Sequence, residues 1–229
     1  MAACFAVIVA GGSGRRLGGE PKQFRIFGDK PMLAHSLQAF QDCPQIDKII
    51  VVAPQSHLET VHQLAFDYDI TKFHKAIEGG ETRQESVFRG ISDIDDSAII
   101  LIHDAARPFI RQDLIGEIIS KTNIDHAAIP AIAIIDTIKI VGDDLCIAQT
   151  PPRERLFAAQ TPQGFLGQII KKAHIKAKED SFVGSDDASL VERLGISVKL
   201  ILHNQNNMKI TTKEDFQIGE FILTSNIVG

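Results

Sequence analysis

The 229 residues carry a formal net charge of -5, with 44% hydrophobic and 23% charged side chains, which is enough apolar material to bury one large core or two small ones. The acidic balance excludes a general nucleic-acid or anionic-membrane surface, so any polyanion site must be local. Three widely spaced cysteines, Cys4, Cys43 and Cys146, exclude a C-x-x-C zinc or redox pair and fit a reducing cytosol, and no apolar run approaches membrane-spanning length.

The first run, FAVIVA at 5–10, has no basic segment before it and reads as a buried strand rather than a signal peptide. It feeds AGGSGRRLGGEPKQF at 10–24, where five glycines, two adjacent arginines and a lysine share fifteen positions. Glycines let a ligand approach backbone N–H groups, and the cations neutralise it, so this loop reads as an anion cradle. Helical spacing follows at 32–43, a buried strand at 48–54, and helices at 56–68 and 82–94. The run AIILIHDAA at 98–106 is the third strand, 113–122 a helix, and AAIPAIAI at 127–134 the fourth strand. Near-continuous apolar strands alternating with helices predict an α/β fold: a Rossmann-like, mostly parallel sheet with helices on both faces and right-handed crossovers.

From about Asp136 to Gln163 the periodicity breaks, and the segment reads as a protruding β-arm. Helices at 165–178 and 186–194, strands at 197–202 and 208–211, and a helix at 213–224 complete the chain. No linker or repeat divides it, so a single domain over 1–229 is expected. The arm carries IKIV and CIA, apolar faces that an isolated hairpin leaves uncovered, which predicts a homodimer built through it.

Ligands of open parallel sheets sit beyond the carboxyl ends of the strands. The segments 10–22, 103–108 and 136–139 converge there. Walker A fails, because Lys22 stands between Pro21 and Gln23. A dinucleotide fingerprint starting at Gly12 meets Leu17 in place of the third glycine, and a nucleophile elbow starting at Gly11 meets Arg15 in the last position. A plain glycine-rich turn with solvated cations stays open, and Thr82 with Glu85 reads equally as a helix-capping box.

The stretches AGGSGRRLGGEPKQ, HDAARPF, DTIK, AAQTPQGF and SDDASLVE, in order over nearly the whole chain, resemble the 2-C-methyl-D-erythritol 4-phosphate cytidylyltransferases, within the sugar and polyol nucleotidyltransferases. Two positions depart from that pattern: Gly11 stands where the family usually has alanine, and Ser185 where it usually has threonine. The resemblance implies transfer of CMP from CTP to a phosphorylated polyol with release of pyrophosphate, as part of non-mevalonate isoprenoid synthesis. It implies Arg16, Lys22 and Lys209 as the catalytic cations, and Ala10, Gly11, Gly12, Ser13, Gly14, Arg15, Gly80, Glu81, Ser86 and Asp104 around the nucleotide. Asp104, Arg107, Thr137, Lys139, Arg153, Thr161 and Ser185 are then expected at the polyol phosphate. Mg²⁺ is expected on the triphosphate, with no metal bound by protein side chains alone. In the expected dimer Arg153, Thr137 and Lys139 cross to the partner's site. Such an enzyme is cytoplasmic, with no nucleic-acid or membrane partner. A ribitol 5-phosphate cytidylyltransferase and a non-catalytic nucleotide-sensing module remain the alternatives.

Overall fold

The computed structural model describes residues 2–11, 21–203 and 207–225. Its strands are β1 (Cys4–Val9), the short pair β2 (Ile26–Phe27) and β3 (Lys30–Pro31), β4 (Lys48–Ala53), β5 (Phe73–Glu78), β6 (Ile99–Asp104), β7 (Ala127–Ala133), β8 (Ile140–Val141), β9 (Ile147–Gln149), β10 (Phe157–Ala159), β11 (Gln163–Leu166) and β12 (Lys199–Leu202). The helices are α1 (Met32–Gln41), α2 (Leu58–Asp67), α3 (Arg83–Ile91), α4 (Gln112–Asp125), α5 (Gly167–Glu179), α6 (Asp187–Glu192) and α7 (Lys213–Thr224). The fold class is the expected one, with a parallel run β5–β4–β1–β6 at its heart. Beyond β6, β11 pairs antiparallel with both β6 and β7, β10 continues along the same side of β7, and β12 runs parallel on the other side.

The apolar runs alternate between two cores, as a pleated strand requires. Cys4, Ala6 and Ile8 of β1, with Ile49 and Val51 of β4 and Ile99 and Leu101 of β6, join α1, α2 and α4 on one face. Val7, Ile50, Val52, Ile100 and Ile102 join α3, α5 and α6 on the other. Gly90 lets α3 lie close: a Cβ there would come within 2.6 Å of Val7. Among the described residues no helix is long and apolar enough to cross a membrane.

Three expectations need correction. Residues 208–211 form no strand; the segment is pinned instead by Ile210 N–H donating to Ala106 O at 2.8 Å. Strand β5 adds to the expected set; His74 and Lys75 interrupt its apolar residues, because it is the sheet's edge and only partly buried. The excursion is shorter than 136–163, since β10 and β11 rejoin the main sheet and leave β8 and β9 as a separate two-stranded sheet between them and β7.

Candidate active site

The carboxyl ends of β1, β5 and β6 lie along one edge of the sheet and, with the segment around Lys209, enclose a cavity of about 610 Å³. Ala10 and Gly11 extend β1 into it; Ala10 N–H donates to Val52 O at 2.7 Å. The Gln23 side-chain amide donates to Ala10 O, which ties the turn carrying Lys22 to the cavity floor. The Lys22 ammonium donates to Ile210 O. That late segment is anchored because Ile210 is buried with Phe27, Met32, Phe109 and Ile222 beneath α7.

The loop before α3 forms the second wall, with Gly80, Glu81 and Ser86 all lining the cavity. Thr82 caps α3, its hydroxyl accepting from Glu85 N–H at 3.1 Å. The Glu85 carboxylate reaches back to Glu81 N–H at 2.9 Å rather than to Thr82 N–H, so only half of the expected box is formed. Gly80 permits this, because a Cβ there would lie 2.4 Å from the Glu85 side chain. Ser86 Oγ donates to Thr82 O at 2.8 Å and accepts from Gly80 N–H at 3.0 Å. A hydroxyl has a single proton, so toward a ligand Ser86 has only a lone pair left to offer.

Asp104, at the end of β6, is the electrostatic centre. Its Oδ1 accepts from Arg83 Nε at 2.9 Å and its Oδ2 from Lys209 Nζ at 2.7 Å. Arg83 also donates through Nη1 to Asp187 Oδ2 at 2.8 Å. Asp187 is buried against His174 Nε2 at 3.1 Å, while its backbone N–H and that of Ala188 donate to Gln163 Oε1. Burial alone raises a carboxyl pKa, but the Arg83 and Lys209 charges override it and hold Asp104 well below the usual carboxylate range. Asp187 is likewise held down against its burial by Arg83 and His174. Burial works against the Arg83 charge, yet the two carboxylates more than offset it and raise the guanidinium further.

Behind Asp104 the hydrogen-bond roles are fixed. His103 Nε2 stands 3.2 Å from Arg107 O, which only accepts, so Nε2 carries the proton and Nδ1 is the acceptor. The Thr161 hydroxyl therefore donates to Nδ1 at 3.1 Å and accepts from Asp104 N–H at 3.1 Å. Burial pushes His103 down to about 4, which keeps it neutral. Arg107 donates to Asn207 O at 2.8 Å, and the Asn207 amide donates to Thr161 O at 2.8 Å; burial lowers the Arg107 pKa.

Ala10, Gly11, Lys22, Gly80, Glu81, Ser86, Asp104 and Lys209 thus share one cavity. Thr161 and Arg107 brace it from behind. Ser185 lines a smaller adjoining cavity of about 90 Å³ together with Thr82, Arg83 and Asp187. Thr137, Lys139 and Arg153 stay on the excursion, where Lys139 Nζ donates to Thr150 Oγ1 at 2.9 Å and Arg153 to Ile135 O at 3.4 Å. Gly12, Ser13, Gly14, Arg15 and Arg16 lie outside the described residues. Sequence reasoning assigns no role to Arg83, Asp187 or Gln23; the first sits beside Thr82 and the second inside the stretch SDDASLVE, but their pairing across the fold has no linear signature.

The sequence profile of the 2-C-methyl-D-erythritol 4-phosphate cytidylyltransferase family matches residues 4–225. The chain belongs to that family. A curated member from Halalkalibacterium halodurans is 42% identical over 218 residues, 95% of each chain, and one from Syntrophus aciditrophicus 40% identical over 221 residues, 95% of this chain and 94% of its own. The crystal structure of the 4-diphosphocytidyl-2C-methyl-D-erythritol synthase of Anaerococcus prevotii superposes with a TM-score of 0.87 at 28% identity, covering 97% of this chain and 96% of that one. This cytidylyltransferase therefore forms 4-diphosphocytidyl-2-C-methyl-D-erythritol from CTP and 2-C-methyl-D-erythritol 4-phosphate, in the non-mevalonate route to isoprenoids.

Proposed function

We propose that the reaction takes place in the cavity around Asp104 and Lys209, with CTP entering as its Mg²⁺ complex and the polyol phosphate site completed by a second copy of the chain. The observation that carries this reading is the convergence of Lys22, Lys209, Asp104 and the Gly80–Ser86 wall on one space. The attacking phosphomonoester is already a dianion near neutral pH, so no general base is needed. One of its oxygens bonds to the α-phosphorus of CTP, the bond to the bridging oxygen breaks, and pyrophosphate leaves with its electron pair. The obstacle is charge, and Lys22, Lys209 and Arg16 are the groups to stabilise it, alongside the backbone of Gly12, Ser13, Gly14 and Arg15.

Both Asp104 oxygens are engaged by cations, and among the described residues no group of three or more His, Cys, Asp and Glu side chains is disposed to hold a metal ion. With both Asp104 oxygens so engaged, Mg²⁺ would be held by the CTP triphosphate, whose negative charge it would offset. Cytosine is held by the Ala10 and Gly11 backbone and by Gly80, Glu81 and Ser86. The polyol phosphate is held by Asp104 and Ser185 on one chain, with Arg107 and Thr161 supporting Asp104 from behind the cavity, and by Thr137, Lys139 and Arg153 from the partner's arm. Exposed Ile135, Leu145 and Ile147 on the excursion support that dimer, since a two-stranded sheet with an uncovered apolar face is marginal alone. Free, core-buried Cys4 and Cys43 suit a reducing cytoplasm. Pyrophosphate release is the test, with four nucleoside triphosphates each paired with 2-C-methyl-D-erythritol 4-phosphate or ribitol 5-phosphate. Turnover is expected with CTP and the methylerythritol phosphate; equal turnover with a purine triphosphate, or preference for the ribitol ester, would contradict the reading.

A further inference from the structure

We propose that Arg83 is a positioning residue that keeps Asp104 ionised and fixed when Lys209 leaves it for the triphosphate, so that one carboxylate changes partners during each catalytic cycle. The inference rests on the cytidylyltransferase reading for what draws Lys209 away, and on geometry for the rest.

Among the described residues Asp104 has two cationic partners, and they differ. Lys209 comes from the cavity side with its side chain 40% exposed, on a flexible stem, and holds Oδ2 at 2.7 Å. Arg83 holds Oδ1 through Nε and is itself locked from behind by Asp187, whose side chain is 1% exposed and fixed by His174. The planar guanidinium thus bridges two carboxylates on different elements, the end of β6 and the start of α6, a geometry that an ammonium cannot reproduce. Arg83 also lines the cavity, but it is tied to two carboxylates whereas Lys209 is held by one, so a polyphosphate there competes with Asp104 for Lys209. A buried carboxylate stripped of its last cation is strongly disfavoured. With Arg83 in place, Asp104 is never stripped, and Lys209 is free to move.

Asp104 is faced by Arg83 from α3, by Lys209 from the late segment, and by His103 and Arg107 from its own strand and the turn after it; Lys22 lines the same cavity. Removing Arg83 leaves the resting enzyme with the Lys209 pair but the substrate-bound enzyme without a direct cation on Asp104. The acid limb of kcat/KM reports free enzyme and that of kcat reports the bound complex. Because an adjacent arginine lowers a carboxyl by about 1–3 pH units, Arg83→Met is expected to lower kcat at least about tenfold and to move the acid limb of kcat upward by about one pH unit or more. The kcat/KM limb for CTP should move distinctly less. Arg83→Lys, which keeps the charge without the fork, should fall between wild type and Arg83→Met. Equal displacement of both limbs, or lower activity with both limbs unmoved, would overturn the exchange and leave Arg83 a structural group only. If Arg83→Met fails to fold, the same two limbs are read on Arg83→Lys, and the same pair of outcomes decides for or against the exchange. Carbon-13 titration of the Asp104 carboxyl, with and without Mg²⁺ and CTP, reads the exchange without turnover. Bound CTP should leave Asp104 ionised in wild type and raise its titration in the Arg83 variant; no difference between them would overturn the proposal. If wild type releases no pyrophosphate from CTP and the polyol phosphate, the activity reading fails by itself, while this titration still decides the exchange.

Discussion

Ser86 donates its one proton to Thr82 O and faces the cavity as an acceptor. The exocyclic group of cytosine is a donor and that of uracil an acceptor, so with cytosine placed as proposed Ser86 would favour CTP over UTP. Ser86→Ala removes the acceptor and the brace on Gly80 together, and should reduce the ratio of kcat/KM for CTP over UTP by about tenfold, since a polar contact of this kind contributes about 1–1.5 kcal/mol. An unchanged ratio would assign Ser86 to loop structure alone. Lys22 is placed by different means, its turn tied to Ala10 O and its ammonium to Ile210 O. Lys22→Ala should lower kcat about 10²–10³-fold with little change in CTP affinity, the loss usual for one preorganised charge contact. Near wild-type kcat at saturating substrate would remove Lys22 from the mechanism. Both residues stand out in the sequence because they lie in a local pattern. Arg83 and Asp187 do not, because their roles arise from α3, α6 and the end of β6 meeting across 104 positions of chain.

Strand β6 carries a fully buried polar group next to the site, His103, hydrogen-bonded to Thr161. In the unfolded chain His103 titrates near 6.5 and in the fold near 4. Between those values the unfolded chain binds the extra proton, so stability is full above about 6.5 and falls as pH drops toward 4. The His103 contribution at neutral pH is on the order of 3 kcal/mol, lost over that window. Wild type should therefore lose melting temperature between pH 7 and pH 5 more steeply than His103→Gln, measured by calorimetry at low ionic strength; parallel losses would refute the assignment. His35, also lowered by burial, acts in the same direction in both proteins. The apolar runs of β1, β4, β6 and β7 announce themselves in the sequence because strands buried on both faces have no polar alternation to hide them. β5 escapes notice because an edge strand needs less apolar material, and β10 and β11 because their short runs sit among prolines that read as loop.

At the scale of the molecule the proposed polyol phosphate site draws on two chains. The cavity gathers Lys22, Gly80, Glu81, Ser86, Asp104 and Lys209, whereas Thr137, Lys139 and Arg153 stay on an excursion whose Ile135, Leu145 and Ile147 are exposed. A symmetric dimer built through that excursion, as proposed, would cover the apolar residues and would bring Arg153 to the partner's cavity in one step. Disrupting the covered face should expose the dependence: Ile135→Asp with Ile147→Asp is expected to shift the protein to monomer in sedimentation and to abolish turnover while leaving the melting of the main sheet in place. A fully active monomer would mean that each chain is self-sufficient. The most direct measurement mixes two inactive proteins, Lys22→Ala and Arg153→Ala, by co-refolding equal amounts and assaying pyrophosphate release. Random pairing makes about half of the dimers mixed, each with one of its two sites intact, so a shared site predicts recovery of about a quarter of wild-type activity; a mixture as inactive as its parents would contradict it.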